Sequence, residues 1–288
     1  MRIVAFEKAG GAAIGVRSGD EVVDLSVAAP ELPQDLRGLI ADGPDALAGA
    51  GRAAEAAGAG ARLVFADLSL LPPIMDPPKI LCIGRNYAEH AKEGGADVPA
   101  FPDIFMRSRL SLIGAGQPII RPSVSDKLDY EGELMAVIGK TVHRADEASA
   151  LDAVVGYSIF NDATLRDYQR RTTQWTMGKN FDGTGPFGPE FVTADELPPG
   201  CAGLRLQTRL NGEVMQDTNT DDMVFNVANA IHQITEAMTL EPGDLIATGT
   251  PSGVGYARTP PVWMKDGDTV EIEIEGIGVL SNPVKDEV

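Results

Sequence analysis

Two acidic residues two positions apart, Glu131 and Glu133 in Glu131-Gly132-Glu133, stand in a run that reads as a β-strand. Side chains alternate along a strand, so both face one side, with Cα atoms roughly 6–7 Å apart at about 3.3 Å per residue. Two carboxylates that close, beside an apolar run, repel unless a cation lies between them. Asp162 supplies a third hard oxygen ligand, at the polar end of the apolar strand Val154 to Phe160. No His/Cys cluster accompanies the three, so as a metal site they favour Mg2+ or Mn2+ over Zn2+. Spacing alone leaves a second reading open, a solvated acidic strand edge. His90 lies three residues before Glu93 and shares a face with it on a helix. A carboxylate beside an imidazole orients the ring and raises its basicity, as a general base requires. Taken alone, the pair reads first as an ordinary surface contact. Gly94-Gly95 directly after it offers a hinge for a lid. Lys179, in Met177-Gly178-Lys179-Asn180, is flanked by turn residues that suit a cation aimed into a cleft. Arg166 and Gln169 follow Asp162 at helical steps, and Arg85, Arg107 and Arg109 bracket the His90 helix. The alternative for each of these cations is a solvated surface charge. His143 and His232 read as structural, and Trp175, Phe181 and Phe187 as core or cavity wall.

The elements that must position these groups belong to a chain of 288 residues, 43% hydrophobic and 23% charged, long enough for a sizeable core. Lys and Arg number 24 against 42 Asp and Glu, a formal net charge of −18. That balance argues against nucleic-acid partners and anionic membranes, while one local basic pocket could still take an anionic small molecule. Two cysteines, Cys82 and Cys201, lie too far apart for a zinc or redox pair and read as buried thiols. No apolar run reaches the roughly 18–20 residues of a membrane span, and Glu7 comes too early for a secretory leader, so a reducing, cytoplasmic setting is expected. Gly139-Lys140-Thr141 imitates a phosphate loop, but the position that must be glycine is Leu134. Short strands at Arg2 to Phe6, Ala13 to Arg17 and Glu21 to Asp24, then helices over 36–40 and 45–57, predict a small N-terminal accessory domain over 1–72. Pro72, Pro73, Pro77 and Pro78 mark a boundary. The main domain, 73–288, is expected to carry strands at 79–83, 128–138, 154–160, 244–247 and 269–274. A hairpin turns at Asn211-Gly212, and helices cover 86–93, 162–171 and 223–238. Strands outnumber helices without regular βαβ alternation, so the fold class is α+β.

Read together and in order, these pieces resemble the fumarylacetoacetate hydrolase family from about Lys79 onward. The resemblance rests on Lys79-Ile80-Leu81-Cys82-Ile83-Gly84-Arg85-Asn86-Tyr87 with His90 and Glu93. It continues through Asp129-Tyr130-Glu131-Gly132-Glu133-Leu134, Gly156-Tyr157, Asn161-Asp162 and Gly178-Lys179. Asn211-Gly212-Glu213, Gln216-Asp217, Pro242-Gly243-Asp244 and Gly249-Thr250-Pro251-Ser252-Gly253-Val254 close the set. The resemblance implies a mixed β-roll or sandwich core holding one Mg2+ or Mn2+ through Glu131, Glu133 and Asp162. It implies a catalytic dyad of His90 and Glu93 on a lid, with Lys179 beside the metal. Arg166, Gln169 and Thr250 would face a small 2-oxo acid substrate, with Arg85 and Tyr87 beside them, and the protein would be a homodimer. The implied reaction is hydrolysis of a C–C bond in a 2,4-dioxo acid of the acylpyruvate kind, giving pyruvate and a carboxylic acid. Decarboxylation of an oxaloacetate-type acid and isomerisation of a hydroxy-diene dioate draw on the same enolate chemistry and are the alternatives. A non-catalytic binding protein of this fold is the reading from a different class. The sequence departs from its relatives at Thr164-Leu165, where many carry Ser and a small residue. It departs again at Arg107, which replaces a common lysine and with Arg109 could clamp a carboxylate. The stretch 256–263, with Arg258 and Pro260-Pro261, is expected to shape the distal pocket.

Overall fold

Residues 1–288 are described by a computed structural model. The apolar run Gly132–Ile138 forms a strand buried along its whole length. Its alternating side chains feed two cores: Leu134, Ala136 and Ile138 enter one, Met135 and Val137 the other. A strand covered on both faces reads as a continuous apolar run, which is why this one does. It pairs antiparallel with Val154–Asn161 on one side and with Leu245–Ala247 on the other. Leu245–Ala247 in turn lies parallel to Ile80–Gly84. These strands are the middle of a 12-stranded mixed sheet that ends at Asp103–Met106.

A second, five-stranded sheet is built from Glu213–Asn219, Arg205–Leu210, Thr269–Ile274, Gly278–Asp286 and Ile119–Arg121. Leu206, Ile272, Ile274 and Leu280 from it share a core with Leu134 and Ala136 of the large sheet. Helix Val227–Ala237 adds Val227, Ala230, Ile231 and Ile234 to the same core. At Gly132 the sheets come so close that an added Cβ would lie 2.3 Å from Thr208 Oγ1. The α+β, strand-rich roll expected from the sequence is therefore what forms. The hairpin turns at Asn211-Gly212 with φ of 53° and 81°, the left-handed pair that such a turn needs.

Two local expectations differ from the structure. The strand expected over 128–138 is interrupted: Leu128–Asp129 pairs with Thr164–Leu165, and regular pairing with Val154–Asn161 resumes only at Gly132. Asp129 Oδ1 accepts from the adjacent Tyr130 N–H at 2.9 Å, drawing that backbone group out of a ladder. The helix expected over 162–171 shrinks to Arg166–Gln169, because Thr164–Leu165 is taken up as a strand. The N-terminal strands Arg2–Lys8, Gly11–Ser18 and Glu21–Asp24 continue the large sheet, with Arg2–Lys8 antiparallel to Gly185–Thr193.

Candidate active site

The last rung between two central strands sets the acidic trio. Asp162 N–H donates to Glu131 O at 2.9 Å, directly beyond the Gly132–Asn161 pair. Glu131 and Asp162 thus emerge side by side at the end of the sheet, and Glu133 follows two residues along. One carboxylate oxygen from each lies within 4.8 Å of the others, and all three residues are buried. Gly249, with φ of 93°, turns its N–H onto Glu133 Oε2 at 2.8 Å. A side chain at that φ would be strained.

Cations surround two of the three carboxylates. Lys179 Nζ lies 2.5 Å from both Glu131 Oε2 and Asp162 Oδ2. Arg166 Nη2 stands 2.6 Å from Glu131 Oε1, and Arg107 Nη1 is 2.5 Å from Asp162 Oδ1. Burial raises the Glu131 carboxyl, but Arg166, Lys179 and His90 outweigh it and hold it down to about 2. Glu133 has no such partner, and burial with the charges of Asp162 and Glu131 pushes it well above the ordinary carboxylate range. Burial likewise raises Asp162, against the pull of Lys179 and Arg107. Three buried oxygen donors, one lacking a counterion, fit a hard divalent cation such as Mg2+ or Mn2+.

The dyad stands beside the trio. Helix Ala88–Glu93 carries His90, whose Nδ1 is 2.8 Å from Glu93 Oε1. Glu93 Oε2 accepts from Gly253 N–H at 2.9 Å and is so fixed from behind. A carboxylate partner places the proton on Nδ1 and leaves Nε2 with its lone pair. The helix is launched by Asn86, fully buried, whose side chain bonds Thr248 O at 2.7 Å and both backbone groups of Phe225.

A cavity of about 320 Å3 joins these groups. His90, Glu131, Glu133, Asp162, Lys179, Arg85, Arg166, Gln169 and Thr250 all line it, as the sequence suggests. Glu93 braces His90 rather than lining the wall. Two expected substrate contacts do not reach the cavity. Arg107 is wholly committed to Asp162, Ala163 O, Thr184 and Ser111, so it positions the Asp162 carboxylate. Arg109 is exposed and forms no clamp with it. Tyr87 is 2% exposed, turned into the core before the helix, and its phenol has no hydrogen-bond partner. Thr250 lines the wall, but its hydroxyl donates to Gly132 O at 3.0 Å and accepts from Gln216. His143 is exposed, and His232 Nδ1 is 2.7 Å from Ala145 O, both away from the cavity. From the 256–263 stretch Tyr256 reaches the cavity, while Arg258 braces Met215 O and Gly253 O.

Other contributors went unread. Asp129 accepts from Arg166 Nε at 2.8 Å and from the N–H groups of Gly255 and Tyr256, tying two walls together. Its place two residues before Glu131 was the available signal. Arg170 also lines the cavity, its guanidinium carbon 4.3 Å from the Tyr256 ring centroid.

The family model described as "Fumarylacetoacetate (FAA) hydrolase C-terminal" matches residues 79–285. The chain belongs to the fumarylacetoacetate hydrolase family. Among its relatives, "Oxaloacetate tautomerase fahd2, mitochondrial" of Xenopus laevis is 39% identical, over 99% of this chain and 90% of that one. The solved fumarylacetoacetate hydrolase of Exiguobacterium antarcticum matches with a TM-score of 0.85 at 37% identity, each chain fully covered. Maleylpyruvate hydrolase from Sphingobium sp. SYK-6, solved with manganese(II) and pyruvate, matches with a TM-score of 0.81 at 31% identity, again over both whole chains. The family is one of enzymes whose members include tautomerases as well as C–C bond hydrolases. No helix of this member is long and apolar enough to cross a membrane.

Proposed function

We propose that this enzyme moves a proton at the carbon beside a 2-oxo group, interconverting the keto and enol forms of oxaloacetate or a close 2-oxo acid. The observation that carries the reading is the convergence of the acidic trio, Lys179 and the Glu93-braced His90 on one small cavity. The Xenopus relative's name and its match along nearly the whole chain support the same substrate. A divalent ion held by Glu131, Glu133 and Asp162 would supply Lewis-acid polarisation of the 2-oxo group. His90, its Nδ1 proton pinned to Glu93, takes the proton from carbon at Nε2 and returns it to oxygen. Lys179, buried and fixed by two carboxylates, offsets negative charge developing on the enolate oxygen. Arg166 and Gln169 orient the acid from the cavity wall, Arg166 being locked in turn by Asp129.

Hydrolysis of an acylpyruvate is the second reading, and the intact dyad favours it, since the same base would deprotonate water. Two assays on one preparation separate them: decay of the oxaloacetate enol signal and release of pyruvate from acetylpyruvate, each with Mn2+ and with EDTA. The expected result is Mn2+-dependent enol decay that His90→Ala slows by about 10²–10⁴-fold. Faster acetylpyruvate cleavage than tautomerisation would install the hydrolase reading instead. Unimpaired turnover of both substrates in His90→Ala and Glu131→Ala would sink both.

A further inference from the structure

We infer that Arg170 selects a second, distal carboxylate on the ligand and so makes this a site for short dicarboxylic acids. The inference deepens the reading above and rests on it only for the chemistry at the reacting end. Four permanent cations line the cavity: Lys179, Arg166, Arg85 and Arg170. Three are matched by the protein. Lys179 holds Glu131 and Asp162, Arg166 holds Asp129 and Glu131, and Arg85 holds Asp103 at 2.5 Å. Arg170 alone forms no ion pair, and its side chain makes no hydrogen bond to the protein.

An exposed, unpaired arginine is ordinary on a surface. This one is set apart by its place. It follows Gln169 directly, and its backbone N–H closes the Arg166–Gln169 helix on Arg166 O at 3.2 Å. Its guanidinium lies over the ring of Tyr256, a residue whose backbone N–H donates to Asp129 at 3.0 Å. Arg166 stacks on the same ring at 4.4 Å. Stacking uses the face of a guanidinium and leaves the N–H groups at its edge free for a bidentate carboxylate. In a chain of net charge −18, an unmatched cation on the cavity wall is also the feature that lets a dianion approach. The cavity, about 320 Å3, sits at the small end of ligand sites and suits a short diacid.

The test is calorimetric binding to the Mn2+-loaded protein, independent of turnover. Malate and 2-hydroxybutanoate share the 2-hydroxy acid end and differ in the distal group, carboxylate against methyl. Wild type should bind malate at least tenfold more tightly than 2-hydroxybutanoate, and Arg170→Gln should lose that preference. Arg170→Lys, which keeps the charge but not the fork, should fall between them. Absence of the preference in wild type, or its survival in Arg170→Gln, overturns the inference. A lysine variant no better than the glutamine one would transfer the effect to Tyr256 packing and overturn it as well. If the preference behaves as expected while wild type leaves the oxaloacetate enol untouched, Arg170 keeps its role and the tautomerase reading fails.

Discussion

Around the trio, four buried carboxylates, Asp129, Glu131, Glu133 and Asp162, meet three buried cations, Arg107, Arg166 and Lys179. One negative charge is unmatched, and it falls on Glu133, which no cation touches. A charge left unpaired in a dry interior is expensive, so the residue either takes a proton or takes a metal. Two consequences can be measured by thermal melting. At about 100 times its Kd, Mn2+ should add about 2.7 kcal/mol to wild type. For a chain of this length that is a rise in Tm of about 4–5 °C. Glu133→Gln should lose most of that rise, yet melt no lower than wild type in EDTA, because the amide removes the like-charge repulsion. A full Mn2+ shift in Glu133→Gln would mean that the ion sits elsewhere. Type and spacing singled out the trio and the dyad but left a solvated strand edge and an ordinary surface pair open; the order of the surrounding motifs, and not the spacing of those five residues, pointed to a site. Arg107 was misread as a substrate contact because type does not say which partner a guanidinium meets. Only the fold shows that Asp162, 55 residues later, consumes it.

At the scale of elements, strand patterns were legible wherever burial is one-sided or complete, as in Val154–Asn161 and the Asn211-Gly212 hairpin. They failed where a polar side chain competes for backbone hydrogen bonds, as Asp129 does at the break before Gly132. The same kind of competition helps the chain at Asp24, which ends strand Glu21–Asp24 and caps helix Leu25–Ala28. Its carboxylate accepts from Ser26 N–H at 2.9 Å and pairs with Lys8 at 2.5 Å. Burial raises this carboxyl, but the bonds from Lys8 and Ser26 win and hold it below its ordinary value. A carboxyl with a lower pKa folded than unfolded stabilises the protein above the unfolded value, and loses that contribution as pH falls through the folded one. Asp24→Asn should therefore melt below wild type at pH 7, and the gap should close as pH drops below about 4. Parallel melts across that range check it; a gap that is constant with pH would assign the effect to packing rather than charge.

For the whole molecule, the proline cluster at 72–78 marks a change of composition without ending the sheet. Arg2–Lys8 pairs with Gly185–Thr193, and Ile3, Ala5 and Ile14 share a core with Phe160, Phe187 and Phe191. Sequence reading could not see this, because strand pairing across more than 180 residues leaves no local trace. The electrostatics bind the two segments still more tightly. Glu190, 1% exposed, is neutralised by Arg2 at 2.6 Å and Arg17 at 3.2 Å, both from the first segment. Removing a buried charge's partners costs about 3–5 kcal/mol, a large part of the stability of an ordinary domain. The loss would come together with an uncovered apolar face and an open edge on strand Gly185–Thr193, which invites aggregation. We therefore propose that 1–72 and 73–288 are one folding unit, despite the match of the family model to 79–285 alone. Residues 73–288 expressed by themselves should be insoluble, or should melt without a cooperative transition, and Glu190→Gln should recover little because the sheet edge stays open. A soluble, monodisperse 73–288 fragment with a sharp transition would show instead that the catalytic roll stands without its N-terminal strands.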